Sequence, residues 1–459
     1  MDLGFQRDYE GFAKANNETL EALTKALTAG SGVDAGAFTG GRALTLESMD
    51  TTLVNVLHST DEARLFQKLK KQPVKSVVHQ WDERTEVGHD ESAWVAEAGD
   101  SYETDQTIAR KYTTAKYLQT LRKVSLQAAS SDMIENAIAL EKQAGMLWLI
   151  RNVEKGLFYA NSAYVGVQPD GLNAQLTTNV LDVRGVDATT KSFEDKMNEA
   201  ARMIRDYYGR PTDMFVSTMV MQDVQALLRD RIRFGTGLQT GSGIFKTYPT
   251  PFGEFSLVDD VFIKEGSVPV AGSATALSAL RPGAPSITDG SITTPADGAS
   301  QFGVADAGNY WYKIAGVNQY GEGPADTTVA AVTLVAGDKA VIPVVNGTPV
   351  ATAYRVYRSK LGAADATDCR YMFTMAVAAN VEDYNSFLPG CSDVYLLNMD
   401  PVYDAIEWVQ FLPALKFDLY PTNAAVFPFL CLLFGSLAVK KKQQHVRIKN
   451  VAPVTLGWF

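Results

Sequence analysis

The chain has 459 residues, of which 46% are hydrophobic and 20% charged, so it is long and apolar enough to fold as two or three globular domains. Its formal net charge of −10 argues against strong sequence-independent binding to nucleic acid, because such binding depends on neutralising phosphates. Three cysteines and four histidines argue against a disulfide scaffold and leave few ligands for zinc.

The first part of the chain combines helical and flexible character. A weak helical pattern in residues 1–45 ends in the glycine-rich stretch AGSGVDAGAFTGG, which predicts an extended arm. Residues 46–72 have a helical and then basic pattern, which Pro73 stops.

Two strand-like segments follow, VKSVVHQW and ARKYTTAKYLQTLRKV, both rich in β-branched and aromatic residues. The segment between them is too polar to form a core of its own, which predicts a projecting loop. Nine carboxylates lie in it: Asp82, Glu83, Glu86, Asp90, Glu91, Glu97, Asp100, Glu103 and Asp105.

The middle of the chain has a mixed α and β pattern. Ser130–Asp132 offers caps for a long helix that reaches about Asn161, with Gly145 and Gly156 as its weak points. A second helix begins near Ser192 and ends before Gly209, DMFVS predicts a short strand, and VMQDVQALLRD predicts a third helix. FGEFSLVDDVFIK returns to strand.

The composition then changes sharply. Residues 266–308 are rich in Gly, Ala, Ser, Thr and Pro, and short strands at turn-punctuated intervals follow them. This spacing is typical of an antiparallel β-sandwich, which we interpret as a separate domain inserted into a host domain. The apolar run of residues 424–439 contains Pro428 and Gly435. A membrane span needs about 20 residues, and this run is shorter, so it predicts a buried core segment. With no targeting segment visible, we expect the protein to be made in a reducing cytoplasm.

Three groups of residues invite a chemical function, and a structural interpretation is favoured for each. The glycines at 235, 237, 241 and 243 lack the preceding strand that a phosphate-binding loop needs, and they predict a mobile loop. The carboxylates between Asp82 and Asp105 lack the pattern of a calcium loop. A basic cluster suits either nucleic-acid contact or, as we favour, a solvated turn between two strands: Lys440, Lys441, Lys442, Arg447 and Lys449.

Other candidate residues do not combine into a site. Asp259 and Asp260 are adjacent on a strand, so their side chains face opposite ways. The histidines show no metal-binding spacing, and the cysteines predict free thiols. We therefore predict no catalytic, cofactor-binding or metal-binding residues. The residues weighed here are His58, His79, His89, His445, Cys369, Cys391 and Cys431.

Two segments carry a family resemblance. Residues 33–82 (VDAGAFTGGRALTLESMDTTLVNVLHSTDEARLFQKLKKQPVKSVVHQWD) and residues 399–451, which include PTNAAVFPFLCLLFGSLAVKKKQQHVRIKNV, resemble major capsid proteins of large contractile-tailed bacteriophages. The fold of that family is named after a Hong Kong phage. The motifs YWYKIAGVNQYGEGPA, YRVYRS and VEDYNSFLPG resemble a fibronectin type III or immunoglobulin-like domain.

The resemblance implies an α+β Hong Kong phage-type capsid fold with an all-β immunoglobulin-like sandwich inserted. It implies five segments in chain order: residues 1–72 as the N-terminal arm, 73–124 as the extended loop, 125–268 as the spine helix and the first part of the peripheral and axial domains, 269–398 as the inserted domain, and 399–459 as the return segment of the peripheral and axial domains.

The implied function is structural, without enzyme activity or cofactor. Copies of the chain would form hexamers and pentamers of an icosahedral shell that confines phage double-stranded DNA without binding it specifically. The implied partners are scaffold, portal, vertex and decoration proteins, with no membrane, and the implied location is the virion after assembly in the bacterial cytoplasm. Two alternatives stay open. An encapsulin-like nanocompartment shell usually lacks so large an insertion, and a surface adhesin would predict repeated sandwich domains.

Overall fold

The structure is a computed structural model. It describes residues 63–87, 94–100, 105–130, 136–184, 191–229, 246–263, 267–269, 279–287, 291–326, 331–421 and 424–454. The predictions for residues 1–62, for part of the acidic loop, for the glycine-rich loop at 235–243 and for His58 and His89 lie outside the described residues.

The described residues contain six α-helices, and the longest of them is the predicted spine helix. Its start differs from the prediction, because Ser130 ends a separate short helix and Asn136 caps the long one. The Asn136 side chain accepts hydrogen bonds from the N–H groups of Ile138 and Ala139 at 3.0 and 3.3 Å. The helices are α1 (Arg64–Lys68), α2 (Leu126–Ser130), α3 (Ala137–Tyr159), α4 (Leu172–Gln175), α5 (Lys191–Asp206) and α6 (Thr218–Arg229).

Strands dominate the rest of the described chain and alternate with the helices, so the fold class is α+β, as predicted. The strands are β1 (Lys71–Pro73), β2 (Val78–Glu86), β3 (Thr107–Thr114), β4 (Lys116–Ser125), β5 (Val180–Asp182), β6 (Asp213–Val216), β7 (Thr247–Thr250), β8 (Gly253–Asp259), β9 (Ser286–Ile287), β10 (Gly308–Asn318), β11 (Gly321–Ala325), β12 (Ala331–Leu334), β13 (Ala340–Val345), β14 (Ala353–Arg358), β15 (Arg370–Ala376), β16 (Asn380–Asp383), β17 (Ser392–Leu397), β18 (Ile406–Asp418), β19 (Val426–Val439) and β20 (Val446–Val451).

A four-stranded sheet carries the spine helix α3. Its strand order is β1-β18-β19-β4, and the long hairpin β18–β19 forms its centre. The apolar run near the C-terminus becomes β19, most of whose side chains are buried. Helix α3 approaches closely at Gly145, where an added Cβ would lie 3.1 Å from the Cys431 sulfur. Glycine at this position therefore allows the helix to lie against the sheet.

A second sheet of six strands has the order β5-β20-β17-β6-β8-β7. Strands from the middle and from the C-terminal part of the sequence meet in it, because β17 pairs with both β6 and β20. Helices α5 and α6 pack against this sheet through an apolar core that includes Phe193, Ile204, Val220 and Leu396.

Between β8 and β17 the chain forms an all-β unit. Its two sheets are β11-β10-β14-β15, with β12 also pairing β10, and β16-β13-β9. Both sheets contribute to one core, in which Tyr312, Ile314, Ile342 and Val381 are almost fully buried. The structure thus shows the predicted short antiparallel strands. Among the described residues, no helix is both long and apolar enough to span a bilayer.

Candidate functional site

The most exposed β-structure of the described chain is the hairpin β2–β3, within the predicted extended loop. Its strands pair only with each other, in a register that runs from Val78 opposite Thr114 to Glu86 opposite Thr107. A two-stranded hairpin alone is at best marginally stable in water. The hairpin therefore needs support from another surface.

One face of the hairpin is strongly exposed and carries large apolar side chains. Tyr112 is 69% exposed and Ile108 is 54% exposed. Beyond the hairpin, Trp94 is 93% exposed. An ion pair between Asp82 and Arg110, with 2.9 Å between Arg110 Nε and Asp82 Oδ1, lies on the same face and lowers the pKa of Asp82. Apolar and charged groups alternate here as they do on many protein-binding surfaces.

The root of the hairpin is fixed to the four-stranded sheet. The hydroxyl groups of Thr113 and Ser436 lie 3.0 Å apart, and His79 Nε2 lies 3.6 Å from the buried Glu407 carboxylate. The carboxylate of Glu407 also lies 2.8 Å from Lys440 Nζ. The hairpin therefore leaves the sheet at a defined place.

The four-stranded sheet exposes an apolar face on the side opposite helix α3. Phe417, Leu430 and Leu121 lie in register across its three long strands, and Phe417 and Leu121 are each 50% exposed. Tyr117 packs edge-to-face on Phe434, with 4.9 Å between ring centroids, and is itself 55% exposed. We call the face formed by these five residues the apolar sheet face.

Helix α1 sits where the arm segment meets the hairpin segment. Leu65 and Leu69 are buried in the core beneath α3, and Phe66 meets Trp408 of β18 edge-to-face at 5.4 Å. Strand β1 follows at once and pairs in parallel with β18. This position places helix α1 and strand β1 at the start of the segment that leads into the hairpin.

Two of the contacts between the inserted β-unit and its surroundings lie at separate places. Arg184, after β5, donates hydrogen bonds to the backbone oxygens of Gln301 and Asn385 at 3.0 and 3.3 Å. Val165, after the spine helix, packs against Val317 of β10. Contacts at two places restrict rotation of the unit about its connections.

A cavity of about 170 Å³ lies between these places. In its wall, Arg447 is paired with Asp393 at 2.9 Å, and Arg355 is paired with Glu322. Both arginines of the described wall are thus already neutralised. The cavity is lined partly by polar groups, and its volume is large enough to hold ordered water.

The predicted basic cluster does not gather into one phosphate-binding patch. Lys440 Nζ lies 2.7 Å from Asp404, and Lys449 pairs with Asp182 at 3.1 Å. Lys441 donates to the Tyr403 backbone oxygen at 2.6 Å. Lys440 and Lys441 lie in the turn between β19 and β20, as the favoured interpretation predicted.

The histidines and cysteines occupy structural positions. Burial lowers the pKa of His445 to about 4, and its Nδ1 accepts a hydrogen bond from the N–H of Asn398. Burial raises the pKa of the Cys369 thiol to about 12. Cys369, Cys391 and Cys431 are all free. Within the part of the chain that the structure describes, no cluster of three or more His, Cys, Asp or Glu could hold a metal ion.

Asp259 and Asp260 diverge as predicted, since Asp259 pairs with Arg64 whereas the Asp260 side chain points into the core toward Glu154.

Sequence reasoning missed two buried acids, Glu154 and Glu407. No sequence pattern marks Glu154 as buried, because a single carboxylate among the apolar positions of a long helix is common. The same holds for Glu407, which the sequence does not distinguish from exposed acids.

Comparison with known proteins gives one family match and several structural similarities. The family model described as SU10 major capsid protein matches residues 23–279, and no curated protein matches the chain. Among solved structures, the capsid of a native GTA particle is similar with a TM-score of 0.49, 9% identity, and coverage of 90% of this chain and 97% of that chain.

Two further solved structures are similar at a comparable level. The capsid of the cyanophage P-SCSP1u has a TM-score of 0.45, 7% identity, and coverage of 91% of this chain and 96% of that one. The holo-SrpI encapsulin complex from Synechococcus elongatus has a TM-score of 0.45, 9% identity, and coverage of 91% and 97%. Similarity of this degree does not separate a phage shell from an encapsulin shell.

The family match distinguishes the phage shell from the encapsulin shell, because the matching model describes a major capsid protein and covers more than half of the 459 residues. It confirms the prediction of a major capsid protein of a tailed phage with a structural role in the shell. The immunoglobulin-like class of the inserted β-unit stays a prediction. The chain belongs to the SU10 major capsid protein family.

Proposed function

We propose that copies of this capsid protein assemble by laying the hairpin β2–β3 of one copy on the apolar sheet face of the next. Repetition of this contact would give the hexamers and pentamers of an icosahedral shell. The observation that carries the proposal is the coexistence, in one chain, of a hairpin that is exposed beyond its anchored root and of an exposed apolar sheet face.

Burial of apolar surface favours this contact. Tyr112 and Ile108 on the hairpin and Phe417 and Leu121 on the sheet are each at least half exposed in the single chain. Covering such side chains contributes roughly 1.5–3 kcal/mol each when burial is complete. Because the same chain carries both surfaces, each copy can donate one and receive another, as a ring or shell requires.

Charge supports the same pairing. The loop segment that the hairpin strands enclose is acidic, with Glu97, Asp100 and Asp105 among its described residues. The solvent-facing side chains of β4 on the sheet are Tyr117, Gln119, Leu121 and Lys123, which include a cation and no carboxylate. An acidic loop therefore meets no like charge on this strand.

The enclosed cargo in this proposal is double-stranded DNA, held by confinement. The net charge of −10 opposes strong binding to phosphates. The basic cluster is largely paired, with Lys440 beside Asp404 and Lys449 beside Asp182. We further propose assembly in the host cytoplasm, contacts with scaffold, portal, vertex and decoration proteins, and no catalytic role.

The segment boundaries are part of the proposal. Residues 73–124 would be the extended loop, and the all-β unit an immunoglobulin-like domain on the outer face of the shell. The unit ends before β17, which the predicted bounds 269–398 included, because β17 pairs with β6 and β20 in the six-stranded sheet. Three observations support the second assignment: the unit has two antiparallel sheets, one shared core, and a position between β8 and β17.

The test is a pair of matched surface substitutions examined by negative-stain electron microscopy and size-exclusion chromatography. Tyr112→Asp puts a charge on the hairpin, and we expect soluble chains that no longer form closed shells. Val304→Asp places the same charge at an 87% exposed position of the inserted β-unit, and we expect normal shells. Normal shells from Tyr112→Asp would contradict the proposed contact.

A further inference from the structure

Two buried carboxyl groups lie together beneath helix α1. Glu154 of α3 is 0% exposed and Asp260, directly after β8, is 1% exposed. The Glu154 carboxyl accepts hydrogen bonds from the N–H groups of Leu65 and Phe66 at 2.7 and 3.0 Å. Asp260 Oδ1 accepts one from the N–H of Phe262 at 2.8 Å. The pair therefore ties three parts of the chain together: α1, the spine helix and the turn after β8.

One proton completes the hydrogen bonding of this pair. The two carboxyl groups are within hydrogen-bonding reach of each other, and Asp260 Oδ2 finds no N–H or O–H donor among the described residues. Burial, and next the charge of Asp260, raise the pKa of Glu154 well above its ordinary value, and burial raises the pKa of Asp260. A proton between them supplies the missing donor and removes one of two adjacent charges.

The charged groups around the pair compensate a second negative charge only in part: the charge of Arg64 lowers the pKa of Asp260, but burial outweighs it. Arg64 of α1 is paired with Asp259, and Lys68 of α1 is paired with Asp213 of β6. Each cation already has a carboxylate of its own. Two ionised groups at Glu154 and Asp260 would therefore repel each other in a region largely without water.

We propose that Glu154 and Asp260 share one proton and form a pH-sensitive latch that holds α1, the root of the arm, against the spine helix. A base removes the proton, two adjacent carboxylates remain, and their repulsion opens the contact. Helix α1 and the following strand β1 are then released from α3 and β18. The latch is independent of the contact proposed between subunits.

The direction of the pH dependence follows from the raised pKa values of both acids. The stabilisation is complete below the ordinary pKa of a carboxylic acid and is lost as the pH rises through the raised pKa of the folded state. Alkaline conditions should therefore free the arm root before the sheets unfold.

Hydrogen exchange of the full-length protein tests the latch between about pH 4 and about pH 10. After correction for the intrinsic exchange rate, protection of the Leu65 and Phe66 amides should fall about tenfold per pH unit between the ordinary carboxyl pKa and the raised pKa of the pair, because opening releases one proton in that range. Asp260→Asn removes one charge and keeps the shape, so its protection should stay constant over this range.

The matched control is Asp206→Asn, which makes the same change at a half-exposed position of α5, where Asp206 pairs with Arg202 at 3.0 Å. It should keep the wild-type pH profile. An equal loss of protection in wild type and Asp260→Asn would overturn the latch. Infrared spectroscopy gives a second readout that needs only the wild type: the C=O stretch of a buried protonated carboxyl should be present while the amides are protected and should vanish together with the amide protection. Absence of that band in folded protein would also overturn it.

Discussion

The hairpin β2–β3 and the inserted β-unit are both antiparallel, yet they bury their side chains in opposite ways. In the inserted unit, two sheets enclose Tyr312, Ile342 and Val381, which are nearly inaccessible to water. In the hairpin, Tyr112 and Ile108 remain more than half exposed. Strand-forming sequence is common to both. The difference is that one region supplies its own core, whereas the other, in our proposal, is covered by the surface of a neighbouring copy.

This contrast separates two kinds of effect. Changes within a core of the chain should alter the free energy of unfolding of each copy. Changes in the hairpin should alter association and leave the folded copy intact. The following predictions are ordered from the largest expected effect to the smallest.

Replacing residues 84–104 with a short Gly-Ser linker should abolish closed shells. The replacement removes the acidic loop and the outer part of the hairpin, while the anchored root at Thr113 and Ser436 is kept. We expect soluble, folded chains by circular dichroism and no closed particles by negative-stain electron microscopy. Shells of normal size would show that this region is dispensable for assembly.

Two ion pairs allow a direct comparison of the regions. Arg358 and Asp383 are buried in the inserted unit at 2.6 Å, and Tyr312 also donates to Asp383 at 2.8 Å. Asp383→Ala leaves an uncompensated buried cation, which should cost about 3–5 kcal/mol in unfolding. The exposed pair of Asp82 and Arg110 is the matched control, and Asp82→Ala should leave the unfolding transition unchanged.

Urea unfolding of both variants measures the difference. A loss confined to the inserted unit should appear as a separate early transition, with the six-stranded sheet unfolding as in wild type. Equal effects of Asp383→Ala and Asp82→Ala would remove the distinction between the two regions.

His445 should make the chain sensitive to acid. The unfolded chain takes up a proton near pH 6.5, whereas burial lowers the pKa of the folded His445 to about 4. Stability is therefore present above pH 6.5 and decreases as the pH falls toward 4, by about 3 kcal/mol in total. His445→Gln should reduce this loss in urea unfolding at about pH 4.5 compared with about pH 7.5. A wild-type acid dependence in that variant would show that other groups cause it.

Two glycines of the spine helix should respond in opposite directions. A side chain at Gly145 meets Cys431 of β19, so Gly145→Val should destabilise by about 1–3 kcal/mol through overpacking. At Gly156 the nearest atom to an added Cβ is the Ala160 Cβ at 3.8 Å, an ordinary contact. Gly156→Ala should therefore stabilise by about 0.5–1 kcal/mol through its higher helix propensity. Thermal unfolding of both variants distinguishes these outcomes, and the same sign in both would contradict the packing described here.

These glycines also show where sequence reasoning ends. The pattern predicted the long helix and marked both positions as weak, but only the packed structure distinguishes the one that touches β19. The helix start was misplaced because Ser130 and Asn136 are equally good caps in sequence. The basic cluster, correctly placed in a turn, could not be matched to Asp404 and Asp182, because its partners lie far away along the chain.

Short-range patterns fared better than long-range contacts. Alternating β-branched and aromatic residues predicted the hairpin strands and the short strands of the inserted unit. The parallel pairing of β1 with β18 was not predicted, since it depends on residues at opposite ends of the sequence. The buried partners of Glu154 were missed for the same reason.

A cryo-electron microscopy map of the assembled wild-type protein tests the central claim most directly. The account predicts that β2 and β3 of each copy lie on Leu121, Phe417 and Tyr117 of a neighbouring copy, with Tyr112 buried at that contact. A map in which the apolar sheet face is open to solvent, or is covered by the hairpin of its own chain, would contradict it.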